Sequence, residues 1–214
     1  NGLLSTVAYQ KDGGKPQYAI EGSVSIAGAA VQWLRDNLNI INESSEVEAL
    51  AMCEEDNGDV YFVPAFSGLF SPHWDETARG VLVGLSRFSN KSHISRAVLE
   101  SVAYQSNELL ESMEKDIGVT FESINVDGGM VINNLLMQFQ SDIFNKKVIS
   151  QKITEITALG AGAASFLFIN KLPLENMNSF ISQSKTWNPK MDSKQRKHYL
   201  DKWNKAINKS KQWK

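Results

Sequence analysis

A single cysteine, Cys53, occurs in 214 residues. That excludes an intramolecular disulfide and any cysteine-rich metal site, and Cys53 reads as a small core or helix residue. Histidine is nearly as scarce: His73, His93 and His198 stand far apart and match no metal-ligand spacing. An excess of one charge is lacking too. The net charge of −2 gives no electrostatic draw toward nucleic acid or an anionic membrane. No apolar run is long enough to span a bilayer, and no secretory leader is visible. The expected setting is therefore a reducing cytoplasm, with no nucleic-acid or membrane partner. Repeats and low-complexity tracts are also missing. What is present is a 42% hydrophobic composition, enough for a buried core. The length suits one large domain or a domain with appendages.

The chain is organised around Ile124-Asn125-Val126-Asp127-Gly128-Gly129-Met130-Val131-Ile132-Asn133-Asn134. Ile124 and Val126 suit a short strand, and Asp127-Gly128-Gly129 breaks it. Leu135, Leu136, Phe139 and Ile143 then fall at helical spacing. The pattern is strand, glycine turn, helix. Paired glycines let backbone come close to a ligand. A helix starting there aims N–H groups and a partial positive charge at it, which suits phosphate. Asn133 offers both a donor and an acceptor. A plain turn with asparagine as a helix-start residue is the other reading of the same residues.

Taken in order, the chain opens in mid-pattern with Leu3, Leu4, Val7 and Tyr9 as strand, which reads as a piece cut from a longer protein. Lys11 to Pro16 is a hairpin turn, and Tyr18 to Glu21 a second strand. A helix over 24–38 follows, with Gly28, Ala29 and Ala30 keeping one face small. Those small residues serve either a close-approaching ligand or tight packing. A second, acidic helix is expected over 42–55, and a strand covered on both faces over 60–63. Residues 65–79 form a long irregular loop, either functional or a structural Ω-loop pinned by Phe66, Phe70 and Trp74. Its Asp75, Glu76 and Arg79 read as surface or loop-fixing charges.

After a strand at 81–85, Ser89-Asn90-Lys91-Ser92 starts the longest helix. Its buried stripe is Ile94, Ala97, Val98, Val102, Leu109, Leu110 and Met113, and Gly118 ends it. A short strand is expected at Val148-Ile149. Residues 157–169 read as a buried helix packed closely on its neighbours, and 172–186 as a weaker helix-like stretch. Residues 193–213 are helical, with a solvated lysine-rich face. Strands alternating with helices after a hairpin argue for a layered α/β fold.

Several stretches resemble the C-terminal half of the FGGY carbohydrate kinases. The family signature appears as Gly80-Val81-Leu82-Val83-Gly84-Leu85, seven residues, then His93-Ile94-Ser95-Arg96-Ala97-Val98-Leu99-Glu100. Around it stand Glu21-Gly22-Ser23, Ala27-Gly28-Ala29-Ala30-Val31-Gln32-Trp33-Leu34-Arg35-Asp36, Val63-Pro64-Ala65-Phe66-Ser67-Gly68-Leu69, Ala78-Arg79-Gly80, Val126-Asp127-Gly128-Gly129, Asn133-Asn134-Leu135-Leu136 and Thr157-Ala158-Leu159-Gly160-Ala161. The match keeps order and approximate spacing along nearly the whole chain. Departures fall at Gly162, Ser165, Phe166 and Phe168.

The resemblance implies a three-layer ribonuclease-H-like (actin-like ATPase) domain, with a mixed sheet flanked by helices. It implies residues 1–170 as the ATP-binding domain, with a first hairpin strand missing, and 171–214 as a helical extension. ATP with Mg²⁺ is the implied cofactor pair. Carried over by position, the nucleotide site is Gly28, Gln32, Gly129 and Asn133, with no metal ligand and no catalytic residue in this chain. Asp127 reads as structural or ATP-side. The wording is nearest to members whose polyol is glycerol, bound through an N-terminal domain. Pentulose or gluconate kinases, and a non-catalytic actin-like nucleotide-binding module, are the alternatives. Homo-oligomers, dimers or tetramers, are the expected full-length form.

Overall fold

The computed structural model describes residues 2–214; of the expected opening segment, residue 1 lies outside the described residues. In chain order the elements are β1 (Leu4–Tyr9), β2 (Gln17–Glu21), α1 (Gly28–Asp36), α2 (Glu46–Ala51), β3 (Tyr61–Val63), β4 (Val81–Val83), α3 (Lys91–Ile117), β5 (Ser123–Val126), α4 (Asn134–Phe144), β6 (Lys147–Gln151), α5 (Ile156–Ile169), β7 (Gln183–Trp187) and α6 (Ser193–Ser210). Turns of 3-10 helix stand at Gly129–Ile132 and Leu174–Phe180. Two compact units result: Asn1–Thr120 with Met191–Lys214, and Phe121–Lys190. Residues 171–190 thus belong to the second unit and 191–214 to the first.

The first unit is built around α3. The Asn90 side chain accepts from the N–H groups of Ser92 and His93, and the Asn90 N–H reaches His93 Nδ1 at 3.3 Å. This reciprocal box starts the helix. Gly118, at φ 67°, ends it in the left-handed conformation, and its N–H returns to the Glu114 carbonyl. The spacing predicts one apolar stripe, but every residue from 97 to 105 is buried. The middle of α3 is enclosed on all sides, because α1, α2 and β3 pack on it.

β3 is buried at all three residues, as a strand covered on both faces requires. It pairs antiparallel with β4, Tyr61 opposite Val83 and Val63 opposite Val81. α6 packs on β3, and its Trp203 stacks on Tyr104 of α3 at 4.9 Å. β1 and β2 form the expected hairpin, closed by the Gly14 N–H on the Lys11 carbonyl at 2.9 Å.

Two helices are shorter than the periodicity predicts. α1 begins at Gly28, not at residue 24, because Ala27 is non-helical at φ −102° and ψ −101° and no side chain caps the start. α2 covers Glu46–Ala51 instead of 42–55. Glu54, Glu55 and Asp56 would crowd negative charge at a helix C-terminus, where the dipole disfavours it.

The second unit holds the mixed sheet, ordered β5-β6-β7. β5 runs parallel to β6, with Ile124 opposite Val148, and β7 is antiparallel to β6, with Trp187 opposite Val148. α4 packs on β6 and ends at Asn145 in the left-handed conformation. The helix-like expectation for 172–186 fails at its second half. Pairing with β6 makes 183–187 a strand, with Thr186 and Trp187 suited to it.

The expectation for α5 fails in another way. Only Ala163 and Leu167 are buried, while Phe168 and Ile169 are 85% and 75% exposed. A Cβ added at Gly160 or Gly162 would meet nothing within 4 Å. The small residues therefore serve no close approach among the described residues. α5 rests on the 3-10 turn at Leu174–Phe180, where Phe166 meets Phe180 edge-on at 5.9 Å. No helix among the described residues is long and apolar enough to cross a membrane.

Candidate functional site

Gly129 and Asn133 lie together in the second unit, on the connection from β5 to α4. β5 ends at Val126, and Gly128 then turns the chain at φ 84°, a conformation that L side chains rarely adopt. The Gly128 N–H is tied to the Thr154 carbonyl at 3.0 Å. Nothing in the sequence signals that contact, because it joins distant residues through backbone alone. The predicted helix does not start at the glycines. One 3-10 turn, Gly129–Ile132, comes first, and α4 starts behind Asn133. Val131 and Ile132 are β-branched and weak helix formers, whereas asparagine is a strong cap, so the helix begins where the cap stands.

Asn133 is 7% exposed, and its Oδ1 accepts the Leu136 N–H at 2.8 Å. It is thus the cap of α4, and its amide nitrogen is not used by that cap. The next residue, Asn134, receives a hydrogen bond from Lys185 of β7, which fixes the first turn of α4 to the sheet. Above Gly129 a Cβ would meet nothing within 4 Å, so its main chain is bare. Asp127 is exposed at the end of the strand.

Gly28 and Gln32 lie together in the first unit, at the start of α1. Four residues apart on a helix, they share one face. Gln32 is exposed. Ala30 and Leu34, both 0% exposed, occupy the buried face, and Trp33 stacks on Phe62 at 5.3 Å. Arg35 is taken up locally, its Nε 2.6 Å from Asp36 Oδ1. That bond holds the Asp36 carboxyl below the usual carboxylate range. Each predicted pair is thus positioned by its own unit.

The long loop over 65–79 is fixed by its own polar groups. Asp75 Oδ1 accepts from the Thr77 N–H at 2.9 Å, the Thr77 hydroxyl at 2.6 Å and the Ala78 N–H at 3.2 Å. The Thr77 hydroxyl is the main reason the Asp75 carboxyl titrates below its ordinary value. Arg79 donates to the Glu76 carbonyl at 2.8 Å. Phe70 stacks on Trp74, and the Trp74 indole N–H reaches the Gly2 carbonyl at 2.6 Å. These are loop-fixing roles. Among the described residues no group of three or more histidine, cysteine or carboxylate side chains could hold a metal ion.

Chemically, the β5–α4 connection presents bare main chain at Gly129 beside the Asn133 amide, and α1 separately presents the exposed Gln32 amide. Comparison with known proteins bears on the family of the chain. The FGGY family of carbohydrate kinases, C-terminal domain, matches residues 1–166. A glycerol kinase from Brucella anthropi is 53% identical over 217 residues, covering 99% of this chain and 43% of its own length. A crystal structure of Plasmodium falciparum glycerol kinase with ADP is 38% identical, with a TM-score of 0.87 over 98% of this chain and 42% of that one. Xylulose kinase from Lactobacillus acidophilus, at 22% identity and a TM-score of 0.76, shares the fold. The chain spans less than half the length of the curated relatives it matches. Its fold, its motifs and these likenesses place the chain in the FGGY family of carbohydrate kinases, as the C-terminal domain.

Proposed function

We propose that the chain is the ATP-binding C-terminal half of a glycerol kinase. The whole protein would transfer the γ-phosphoryl group of ATP to the terminal hydroxyl of glycerol, giving glycerol 3-phosphate. One observation carries the reading: the likeness to a glycerol kinase solved with ADP runs along 98% of this chain.

Phosphoryl transfer is chiefly positioning and charge neutralisation. In this reading Gly129 offers bare main chain to the phosphate side of the nucleotide. Asn133 hydrogen-bonds near the adenine, and Gly28 and Gln32 approach from α1. The open space above Gly129 and the exposure of Gln32 support these roles. Mg²⁺ would neutralise charge on the transferring phosphates. No residue of this chain is assigned as the catalytic base. Base and polyol ligands would belong to an N-terminal domain, and the full-length enzyme would form dimers or tetramers.

The test is a substrate panel on the full-length enzyme. Glycerol is expected to be turned over with a far higher kcat/KM than xylulose or gluconate, and this chain alone is expected to make no glycerol 3-phosphate. Preference for a pentulose or gluconate, or robust turnover by the isolated chain, would overturn the reading.

A further inference from the structure

Asn134, Gln138, Ser141 and Asp142 share one face of α4. All four bond to a single stretch of chain, residues 185–190, which runs from the end of β7 into the segment after it. The Lys185 ammonium donates to Asn134 Oδ1. Gln138 Nε2 donates to the Asn188 carbonyl at 2.9 Å. The Ser141 hydroxyl stands 3.0 Å from the Trp187 carbonyl and 2.7 Å from that of Lys146, so it is held from both sides. Asp142 Oδ1 accepts the Lys190 N–H at 2.5 Å. Residues 185–190 therefore splint α4 from its first turn to its last.

The two ends of the splint differ. At the far end Ser141 and Trp187 are buried, and those bonds belong to the packing of the unit. At the near end Lys185 and Asn134 are both exposed, and a contact of that kind adds little to overall stability. A cation is also unfavourable at a helix N-terminus, so the dipole of α4 does not account for Lys185 being there. The lysine is held all the same, with its ammonium 5.0 Å from the centre of the Trp187 ring.

What the near end does fix is the neighbour of Asn133. Asn133 Oδ1 is committed to the Leu136 N–H at 2.8 Å, so the direction of its amide nitrogen follows the first turn of α4. A hydrogen bond to a ligand weakens steeply once its angle is lost. A first turn that unwinds part of the time lowers apparent affinity by the fraction of time it is wound.

We propose that Lys185 is a positioning residue for the nucleotide: by holding Asn134 it keeps the first turn of α4 wound and aims the Asn133 amide at ATP. The inference rests on the nucleotide role of Asn133 proposed above. Lys185 acts through Asn133 and not by touching the nucleotide.

The experiment is a double-mutant cycle in the full-length enzyme, with ATP affinity read by calorimetric titration. Lys185→Met keeps the aliphatic stem on Trp187 and loses the donor. It is expected to weaken ATP roughly threefold to tenfold, the worth of one hydrogen bond. Lys185→Arg, which keeps a cationic donor, is expected to restore the affinity. Asn133→Ser keeps the cap and removes the amide, so in that background Lys185→Met is expected to cause no further loss.

If Asn133→Ser weakens ATP while Lys185→Met does not, the positioning proposal falls and the nucleotide role of Asn133 stands. An equal loss from Lys185→Met in both backgrounds, or no rescue by Lys185→Arg, would also overturn it, because the lysine would then act independently of Asn133. Unchanged affinity in Asn133→Ser would remove Asn133 from the nucleotide site, and the proposal with it.

Discussion

Asn57 donates its amide hydrogen to Glu100 Oε2 at 2.8 Å, with the two residues 2% and 3% exposed. Arg96, one turn earlier on α3, donates to the other oxygen at 3.1 Å. The carboxyl therefore sits in a dry place with two donors. Loss of solvent raises its pKa from 4.5 to about 7; Arg96 and Asn57 pull it down but do not restore the ordinary value.

The sign of the pH dependence follows. The folded state holds this proton more tightly than the unfolded state does. The corresponding stability, on the order of 3 kcal/mol, is fully present below about pH 4.5 and is lost as pH rises through about 7. Urea unfolding of the chain should therefore show a gain of about 1 kcal/mol or more on going from about pH 8 to about pH 6. In Glu100→Gln that gain should largely vanish. An equal pH response in wild type and variant would refute the assignment.

Asn57→Ala should cost about 1–3 kcal/mol, because it strips a donor from a buried carboxyl and an acceptor from the turn. Since the two side chains touch, its cost should shrink when Glu100 is already glutamine. A double-mutant cycle by denaturant unfolding measures this, and strict additivity would mean that the contact carries no energy.

How legible these features were depends on whether a residue's partners are local. The start of α3 is written in Ser89-Asn90-Lys91-Ser92 and its end in Gly118; both appear in the structure as the sequence predicts, and the structure adds His93 as the reciprocal partner of Asn90. The strand–turn order around Gly128 and Gly129 is equally local. The burial of Glu100 is not, since an acidic residue beside Val98 and Val102 reads as a solvated position until β3 and the turn at Asn57 close over it. β7 was hidden for the same reason: its identity as a strand comes from pairing with β6. The exposure of α5 reverses what its small and apolar residues imply, because composition states a capacity for packing and not the presence of a partner. The nucleotide residues came from motif resemblance, not from periodicity. Asn133 in particular has a capping role that explains it without any ligand.

Capping and binding at Asn133 can be separated. Serine caps a helix about as well as asparagine, so Asn133→Ser should change stability by less than about 0.5 kcal/mol, whereas Asn133→Ala should lose about 1 kcal/mol. If the amide nitrogen serves the nucleotide, both should weaken ATP binding in the full-length enzyme by a similar factor. Calorimetric titration decides: weaker binding in Asn133→Ala alone would assign the residue to the helix and not to ATP.

The two glycines make opposite predictions. Gly128 sits at φ 84°, so Gly128→Ala should cost about 1 kcal/mol or more through backbone strain alone. Gly129 has no positive φ and open space where a side chain would go, so Gly129→Val should leave folding nearly intact. A ligand lying on that main chain would meet the valine. In the full-length enzyme Gly129→Val should then lower ATP affinity by about tenfold or more, about 1.4 kcal/mol or more. Unchanged ATP affinity in a well-folded Gly129→Val would remove Gly129 from the site.

Neighbouring positions on α5 provide the last test. Leu167 is 3% exposed and Phe168 is 85% exposed. Leu167→Ala should destabilise the second unit by about 2–4 kcal/mol, since it empties one of the two buried positions of the helix. Phe168→Ser removes a ring that lies mostly in water, and should change stability by less than about 0.5 kcal/mol while improving solubility. Hydrogen exchange at the amides of α5 and of the 3-10 turn at Leu174–Phe180 reads this unit directly, because the two pack together. Loss of protection in Phe168→Ser as large as in Leu167→Ala would mean that α5 turns its other face inward in solution.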